Sequence, residues 1–194
     1  MSADTAGPRS GRSTRDRILD VANELFYAQG IRSTSADRII ERVGITKVTF
    51  YRHFRTKSDL VVAYLERQAA GERQWMEGLR EADDPLGTLR SLATDLGAAS
   101  CGPGFRGCAF INAAAEFADA DDPVRAAVDD HRRWMLGLFA DIATDAGVAE
   151  IDSTARQLML LRDGATVNGY LGEASAIADS LARAFASVIG ADSS

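Results

Sequence analysis

The sequence is poor in cysteine and proline and has no long apolar run. Its 194 residues include 2 cysteines and 4 prolines. Two cysteines are too few for a disulfide framework, which favours a reducing compartment. No apolar stretch reaches the roughly 18 residues of a membrane span, and the polar N-terminus lacks the apolar segment of a secretory signal. We therefore expect a cytoplasmic protein without a membrane partner.

Strict alternation of apolar and polar residues, the pattern of a half-buried strand, is also absent. Apolar residues instead recur every three or four positions, the spacing of an amphipathic helix. Glycine- and proline-containing breaks separate the helical segments. The sequence therefore predicts an all-α fold of nine helices. They span about residues 14–30, 34–44, 46–54, 57–80, 86–100, 110–117, 124–142, 152–170 and 174–189.

Basic residues are concentrated at one end of a chain whose net charge is −6. Residues 1–57 hold 11 lysines and arginines against 6 acidic residues, whereas residues 58–194 hold 11 against 22. The only two lysines, Lys47 and Lys57, both lie in the basic segment. A basic N-terminal segment followed by an acidic remainder indicates that only residues 1–57 bind a polyanion.

Three short helices near the N-terminus describe a helix-turn-helix, with a glycine turn between the second and the third. Thr34 and Asp37 have the spacing of a capping box and predict the start of the second helix. Thr46 is the expected cap of the third. Phe50 and Phe54 are four residues apart and should pack inward. The opposite face of the third helix can then enter a DNA major groove.

The outward residues of the third helix are an unusual mix for a plain solvent face. They are Lys47, Val48, Thr49, Tyr51 and Arg52. Lys47 can donate to guanine or to phosphate, and the methyl groups of Val48 suit a thymine methyl. Thr49 and Tyr51 offer hydroxyls to phosphate oxygens. Lys57 begins the next helix, where free amides also favour a phosphate.

These residues resemble a known family signature. The matching positions are Gly30-Ile31, Thr34-Ser35, Ile39, Val43 to Lys47, Thr49 to Phe54 and Lys57 to Leu60. Over residues 14–65 the chain resembles the tetracycline-repressor (TetR) family. Val48 departs from the glycine of many members, which should change base preference rather than fold. The resemblance implies a homodimeric, all-helical, usually ligand-responsive transcriptional regulator, most often a repressor.

The resemblance also implies roles for single residues. Thr49, Tyr51 and Lys57 should hold phosphates, while Lys47 and Val48 face bases. For His53, capping the carbonyls at the end of its helix is an equal alternative. The complete set of expected DNA-binding residues is Thr34, Ser35, Thr46, Lys47, Val48, Thr49, Tyr51, Arg52, His53 and Lys57.

The predicted organisation has three parts. A flexible basic arm covers residues 1–13, a helix-turn-helix DNA-binding domain covers 14–60, and a helical ligand-binding and dimerisation domain covers 61–194. The last two helices are rich in small residues, which let helices approach closely. We expect them to pair with their copies across a two-fold axis as a four-helix bundle. That symmetry predicts a near-palindromic double-stranded DNA operator.

Aromatic and methionine side chains of the second domain are numerous enough to line a pocket for a mostly apolar small molecule. Cys108, Asn112 and Glu116 are spaced four apart and share one line on a helix. Arg162 is a candidate for a ligand contact or a buried pair. The expected ligand-binding residues are Trp75, Phe105, Cys108, Phe110, Asn112, Glu116, Trp134, Met135, Phe139, Met159 and Arg162. The alternative is that these aromatics and methionines only build the core and Glu116 faces water.

Two other kinds of function have weaker support. Cys101 and Cys108 flank a glycine- and proline-containing loop, so a thiol redox-sensing regulator stays an alternative. Two cysteines with a distant His131 lack the ligand spacing of zinc. Asp130 is adjacent to His131, and neighbours on a helix do not face each other. Phosphate-binding loops and nucleophile elbows are missing. We therefore expect no enzyme, no metal and no cofactor.

Overall fold

The computed structural model describes residues 12–172 and 174–190. Most of the predicted arm, residues 1–11, lies outside this range. The described residues form nine α-helices and no strand, which confirms the predicted fold class. The helices are α1 Thr14–Gln29, α2 Ala36–Val43, α3 Lys47–His53, α4 Lys57–Leu79, α5 Pro85–Ser100, α6 Ala109–Glu116, α7 Pro123–Asp145, α8 Ile151–Leu171 and α9 Ala174–Val188. None of them is long and apolar enough to cross a membrane.

Short polar side chains and glycine determine where the first helices begin and end. The Ser13 side chain accepts from the amide of Asp16 at the start of α1, and Thr46 accepts from Thr49 at the start of α3. Gly44 ends α2 with φ 73° and ψ 45°. Only glycine adopts this left-handed conformation without strain, so Gly44 permits the tight turn between α2 and α3.

The start of α2 corrects the predicted capping box. Ser35 is the N-cap, since its hydroxyl accepts from the amide of Arg38 at 3.2 Å. Thr34 is fully buried, and its hydroxyl donates to the carbonyl of Gly30 at 2.9 Å. The prediction was wrong by one residue because threonine and serine are both good caps. Burial of Thr34 on the inside of the turn decides between them.

The chain divides into two compact units near Tyr64, a few residues beyond the division expected from the sequence. The first unit contains α1, α2, α3 and the beginning of α4. Phe50 and Phe54 are buried in its core, as predicted. Phe26 packs edge-on against Tyr64, with 5.6 Å between ring centroids. This small core leaves the opposite face of α3 in solvent.

The second unit has its own core, in which α5 packs along α9 and α8 packs against both α7 and α9. Phe139 and Phe185 lie in this core with their ring centroids 6.4 Å apart. A Cβ added at Gly97 of α5 would lie 2.7 Å from the Cβ of Ala178 on α9. Part of the small-residue content of α9 therefore serves close packing within the chain.

Candidate DNA-binding surface and buried polar cluster

The outer face of α3 presents large side chains to solvent. Val48 is 79% exposed and Tyr51 is 46% exposed, whereas Phe50 between them is fully buried. The ring of Tyr51 packs edge-on against Phe50, with 5.2 Å between centroids. Arg52 is also exposed. An aliphatic side chain as exposed as Val48 contributes little to the core, so this face is available to a partner.

The remaining candidates at α3 are Thr46, Thr49 and His53, and the two threonines already make hydrogen bonds at the start of the helix. The hydroxyl groups of Thr46 and Thr49 are hydrogen-bonded to each other at 3.0 Å, and both residues lie at the first turn of α3. His53 is half-buried, and its Nε2 atom has no hydrogen-bond partner within the described part of the chain.

Three candidates outside α3, Lys57, Thr34 and Ser35, lie at the turn between α1 and α2. The ammonium group of Lys57 donates to the carbonyl of Ile31 at 2.6 Å. Thr34 is wrong as a predicted DNA-binding residue, because it is buried and bonded to the backbone. Ser35 stays exposed while it caps α2.

Lys47 forms an ion pair with Asp37 that does not follow from the sequence pattern. Its Nζ lies 2.8 Å from Oδ1 of Asp37 on α2, and both side chains are 66% exposed. The hydrogen bond and the negative charge of Asp37 raise the pKa of Lys47. A carboxylate therefore lies at the N-terminal end of the exposed face of α3.

In the second unit, three helices contribute to a buried polar cluster. Glu72 of α4 pairs with Arg162 of α8, and its Oε2 lies 3.0 Å from Nε2 of His131 on α7. The side chains of Arg162 and His131 are 6% and 2% exposed. Arg162 also donates to Asp163 at 3.1 Å. Arg132 extends the chain of charges through a 2.8 Å bond to Asp163.

The charges in this cluster stabilise one another. Burial alone raises the pKa of Glu72, but His131 and the positive Arg162 outweigh it and hold that pKa below the usual value. Burial alone lowers the pKa of Arg162, but the sulfur of Cys108 and the carboxylate of Glu72 raise it overall. Glu72 and Arg162 are therefore both charged at neutral pH.

Aromatic side chains stack beside the cluster. Phe110 lies flat on His131, with centroids 3.7 Å apart, and Trp134 packs on His131 at 5.5 Å. The guanidinium of Arg73 lies 5.3 Å over the ring of Trp134. Of the expected ligand-binding residues, Cys108, Phe110, Trp134 and Arg162 are thus gathered around Glu72 and His131.

The other expected ligand-binding residues lie elsewhere. Met135, Phe139 and Met159 are buried in the core of the second unit. Trp75 donates to Asp95 at 2.8 Å near the surface, and Phe105 is half-buried.

The residues spaced four apart at α6, Cys108, Asn112 and Glu116, do not form one surface that lines a pocket. Cys108 is buried, Asn112 is exposed and Glu116 is half-buried. The amide of Asn112 donates to the carbonyl of Arg106 at 2.9 Å, so it holds the preceding loop.

An apolar face of α8 is exposed in the chain taken alone. Leu160 and Leu171 are 71% and 72% exposed, and Val167 is also exposed between them. A groove of about 310 Å³ runs between α8 and α9 next to this face. Exposed apolar side chains in one row are typical of a surface that a protein partner covers.

Comparison with known proteins agrees with this geometry. Residues 18–64 match the family model described as bacterial regulatory proteins, tetR family. The structure of SCO4454, a TetR-family transcriptional regulator from Streptomyces coelicolor, is 36% identical with a TM-score of 0.85. That match covers 93% of this chain and 96% of the other. The chain belongs to the TetR family of transcriptional regulators.

Two further relatives of this TetR-family regulator match over a shorter length or at lower identity. The HTH-type transcriptional regulator AcrR of Shigella flexneri is 37% identical over 86 residues, 43% of this chain. The match spans only 40% of AcrR. The reduced form of E. coli NemR shares the fold at 19% identity, with a TM-score of 0.80 over 91% of this chain and 98% of NemR.

Family membership makes the chain a DNA-binding transcriptional regulator, as the sequence predicted. Sequence reasoning missed Glu72 as a cluster residue, because polar neighbours on α4 conceal its burial. It considered His131 only with the cysteines and with Asp130, and not with Glu72. The sequence predicts only a capping role for Asp37, and its separation from Lys47 along the chain does not indicate that the two side chains meet.

Proposed function

We propose that this TetR-family regulator is a homodimeric repressor that binds a near-palindromic operator and leaves it when a mostly apolar small molecule binds. The observation that carries the proposal is the exposed face of α3. It combines the very exposed Val48 with cationic and hydroxyl-bearing side chains. This composition suits base edges and phosphates together.

We divide the surface into base-reading and phosphate-holding residues. Lys47 and Val48, in the first turn of α3, read bases. Thr49, Tyr51 and Lys57 hold phosphates. Ser35, Thr46, Arg52 and His53 complete the surface from its edges. The bond of Lys57 to the carbonyl of Ile31 fixes the ammonium group next to the turn before α2.

The proposed dimer forms through α8 and α9. The exposed row of Leu160, Val167 and Leu171 supplies apolar area that the chain alone leaves in water. Pairing across a two-fold axis covers the same row on both copies. Two recognition helices related in this way read half-sites about 34–36 Å apart, or somewhat more.

Ligand release acts through α4 in this proposal. The helix runs without interruption from Lys57, a proposed phosphate contact, to Leu79. Glu72 lies on the same helix and is held by Arg162 and His131. A ligand inserted beside Phe110 or Trp134 would change these contacts and bias the position of α4. An allosteric coupling of about 1–3 kcal/mol lowers operator affinity about 5- to 150-fold.

Fluorescence anisotropy tests operator binding directly. The purified protein is titrated onto DNA from upstream of its own gene and onto a scrambled duplex across a salt series. We expect nanomolar affinity, two protomers per site and a clear margin over scrambled DNA. A library of DNA fragments selected for binding provides the operator if it lies elsewhere. Failure to enrich any sequence contradicts the proposal.

A second candidate function, thiol sensing, has one specific observation in its favour. Cys101 is exposed and Cys108 is buried beside the guanidinium of Arg162, and both are free thiols. Hydrogen peroxide would take two electrons and two protons from the pair, forming one S–S bond and two waters. Mass spectrometry and operator affinity after peroxide treatment test this for Cys101→Ser and Cys108→Ser. Unchanged operator affinity in the oxidised wild type excludes it.

A further inference from the structure

We propose that Asp37 determines DNA specificity by holding Lys47 and releasing it only to a base pair that satisfies the carboxylate. The inference rests on the proposed function in one respect, since it takes Lys47 to face bases. It adds Asp37 of α2 to the residues that read bases. It also predicts a preference for a G·C pair at the position that Asp37 and Lys47 contact together.

The geometry places a negative group where DNA would dock. Asp37 lies in the first turn of α2, two residues after the Ser35 cap, and Lys47 is the first residue of α3. The 2.8 Å contact joins the two helices across the Gly44 turn. Because both side chains are largely exposed, the pair lies in solvent next to Val48 and is not part of the core.

An exposed ion pair of this kind contributes little to stability, so the fold does not require it. Its effect on DNA binding is different in kind. A bare carboxylate facing a polyanion is repelled, so on unrelated DNA Lys47 remains on Asp37 and neutralises it. The lysine then displaces no counterion from a phosphate, and its contribution to non-specific affinity is lost.

A G·C pair changes this balance. Guanine offers two acceptors, O6 and N7, to Lys47, and cytosine offers the N4 amine to a carboxylate. Both members of the ion pair then exchange one charged partner for base contacts, and neither is left unsatisfied. An A·T pair suits the two side chains less well, because adenine presents a single acceptor, N7, beside its N6 amine, and thymine presents O4 and a methyl group that a carboxylate cannot bind. Asp37 and Lys47 together therefore favour a G·C base pair over the other base pairs.

The test compares Asp37→Asn with Glu41→Gln. Glu41 is an exposed carboxylate on the same helix, so its substitution removes the same charge without touching Lys47. Wild type and both variants each select duplexes from a random library. Their affinities for the wild-type consensus, for single-pair variants of it and for unrelated DNA are then measured across a salt series. Circular dichroism checks that each variant is folded.

We expect Asp37→Asn to lose at least about fivefold of the wild-type preference for one G·C pair. On unrelated DNA it should bind more tightly, with a salt slope steeper by about 0.9, because the freed Lys47 reaches a phosphate. Glu41→Gln should keep the wild-type preference and slope.

Equal behaviour of the two variants would overturn the proposal, since Asp37 would then act only through total charge. Retention of the full G·C preference by Asp37→Asn would also overturn it. If wild-type protein selects no sequence at all, the proposed operator binding fails as well. Selection of the same consensus by wild type and by Asp37→Asn would instead refute only the role of Asp37.

Discussion

The two units of this regulator place their polar groups in opposite ways. In the first unit a small apolar core supports an exposed face on α3, and its polar and charged residues are close in sequence. In the second unit one cluster of charged groups is buried, and in it Glu72 meets Arg162, which lies 90 residues further along the chain. A surface of the first kind depends on local sequence. A cluster of the second kind depends on how distant helices pack.

The largest expected effect concerns the buried cluster. Arg162→Met removes the cation and leaves the buried carboxylate of Glu72 without its arginine partner. Breaking a buried ion pair in this way costs about 3–5 kcal/mol of unfolding free energy. Urea denaturation measures the loss. Arg133→Met is the matched control, because the exposed pair of Arg133 with Asp130 contributes at most about 1 kcal/mol. Similar midpoints for the two variants would refute the contrast between the units.

The second prediction tests the exposed face of α8. Leu160→Glu places a carboxylate in the proposed dimer surface, and burying an unpaired charge is unfavourable. We expect the dimer to dissociate at least about tenfold more readily, as measured by sedimentation equilibrium. Arg133→Glu adds the same group at an exposed site on α7 and should leave the dimer intact. A fully dimeric Leu160→Glu protein would show that α8 does not pair.

The third prediction tests the proposed division of the DNA-binding surface into base-reading and phosphate-holding residues. Lys57→Ala should weaken binding evenly across DNA sequences and lower the salt slope by about one. Val48→Ala should instead change the preferred sequence, with a discrimination of about 1–3 kcal/mol at one base pair. Anisotropy on the consensus and on single-pair variants separates the two. Equal losses on every sequence for both variants would show that the division is wrong.

The smallest expected effect is the pH dependence of the cluster. The pKa of Glu72 is lower in the folded protein than the ordinary value of 4.5. Its contribution to stability is therefore present above that ordinary value and is lost as pH falls through the folded pKa. The gap in unfolding free energy between wild type and Glu72→Gln should shrink as pH is lowered from about 6 to about 3. A constant gap would mean that Glu72 is not stabilised as a carboxylate.

Several details of the fold and of the candidate surface could not be read from the residues alone. Thr34 and Ser35 are equally good caps, and only burial assigns the cap to Ser35. Met135 and Phe139 suit a ligand pocket and a core equally well, and both lie in the core. Small residues of α9 suit a dimer contact and a contact within the chain equally well, and Ala178 packs where α9 meets Gly97 of α5.

The sequence by itself determined the all-α class, the positions of the helices and the helix-turn-helix with its family. Periodicity, capping residues and glycine turns act within a few residues, so they are visible in the chain. Tertiary structure alone decided that Glu72, His131 and Arg162 share one buried cluster and that Asp37 holds Lys47. These contacts join different helices, and no local pattern specifies which faces of separate helices meet.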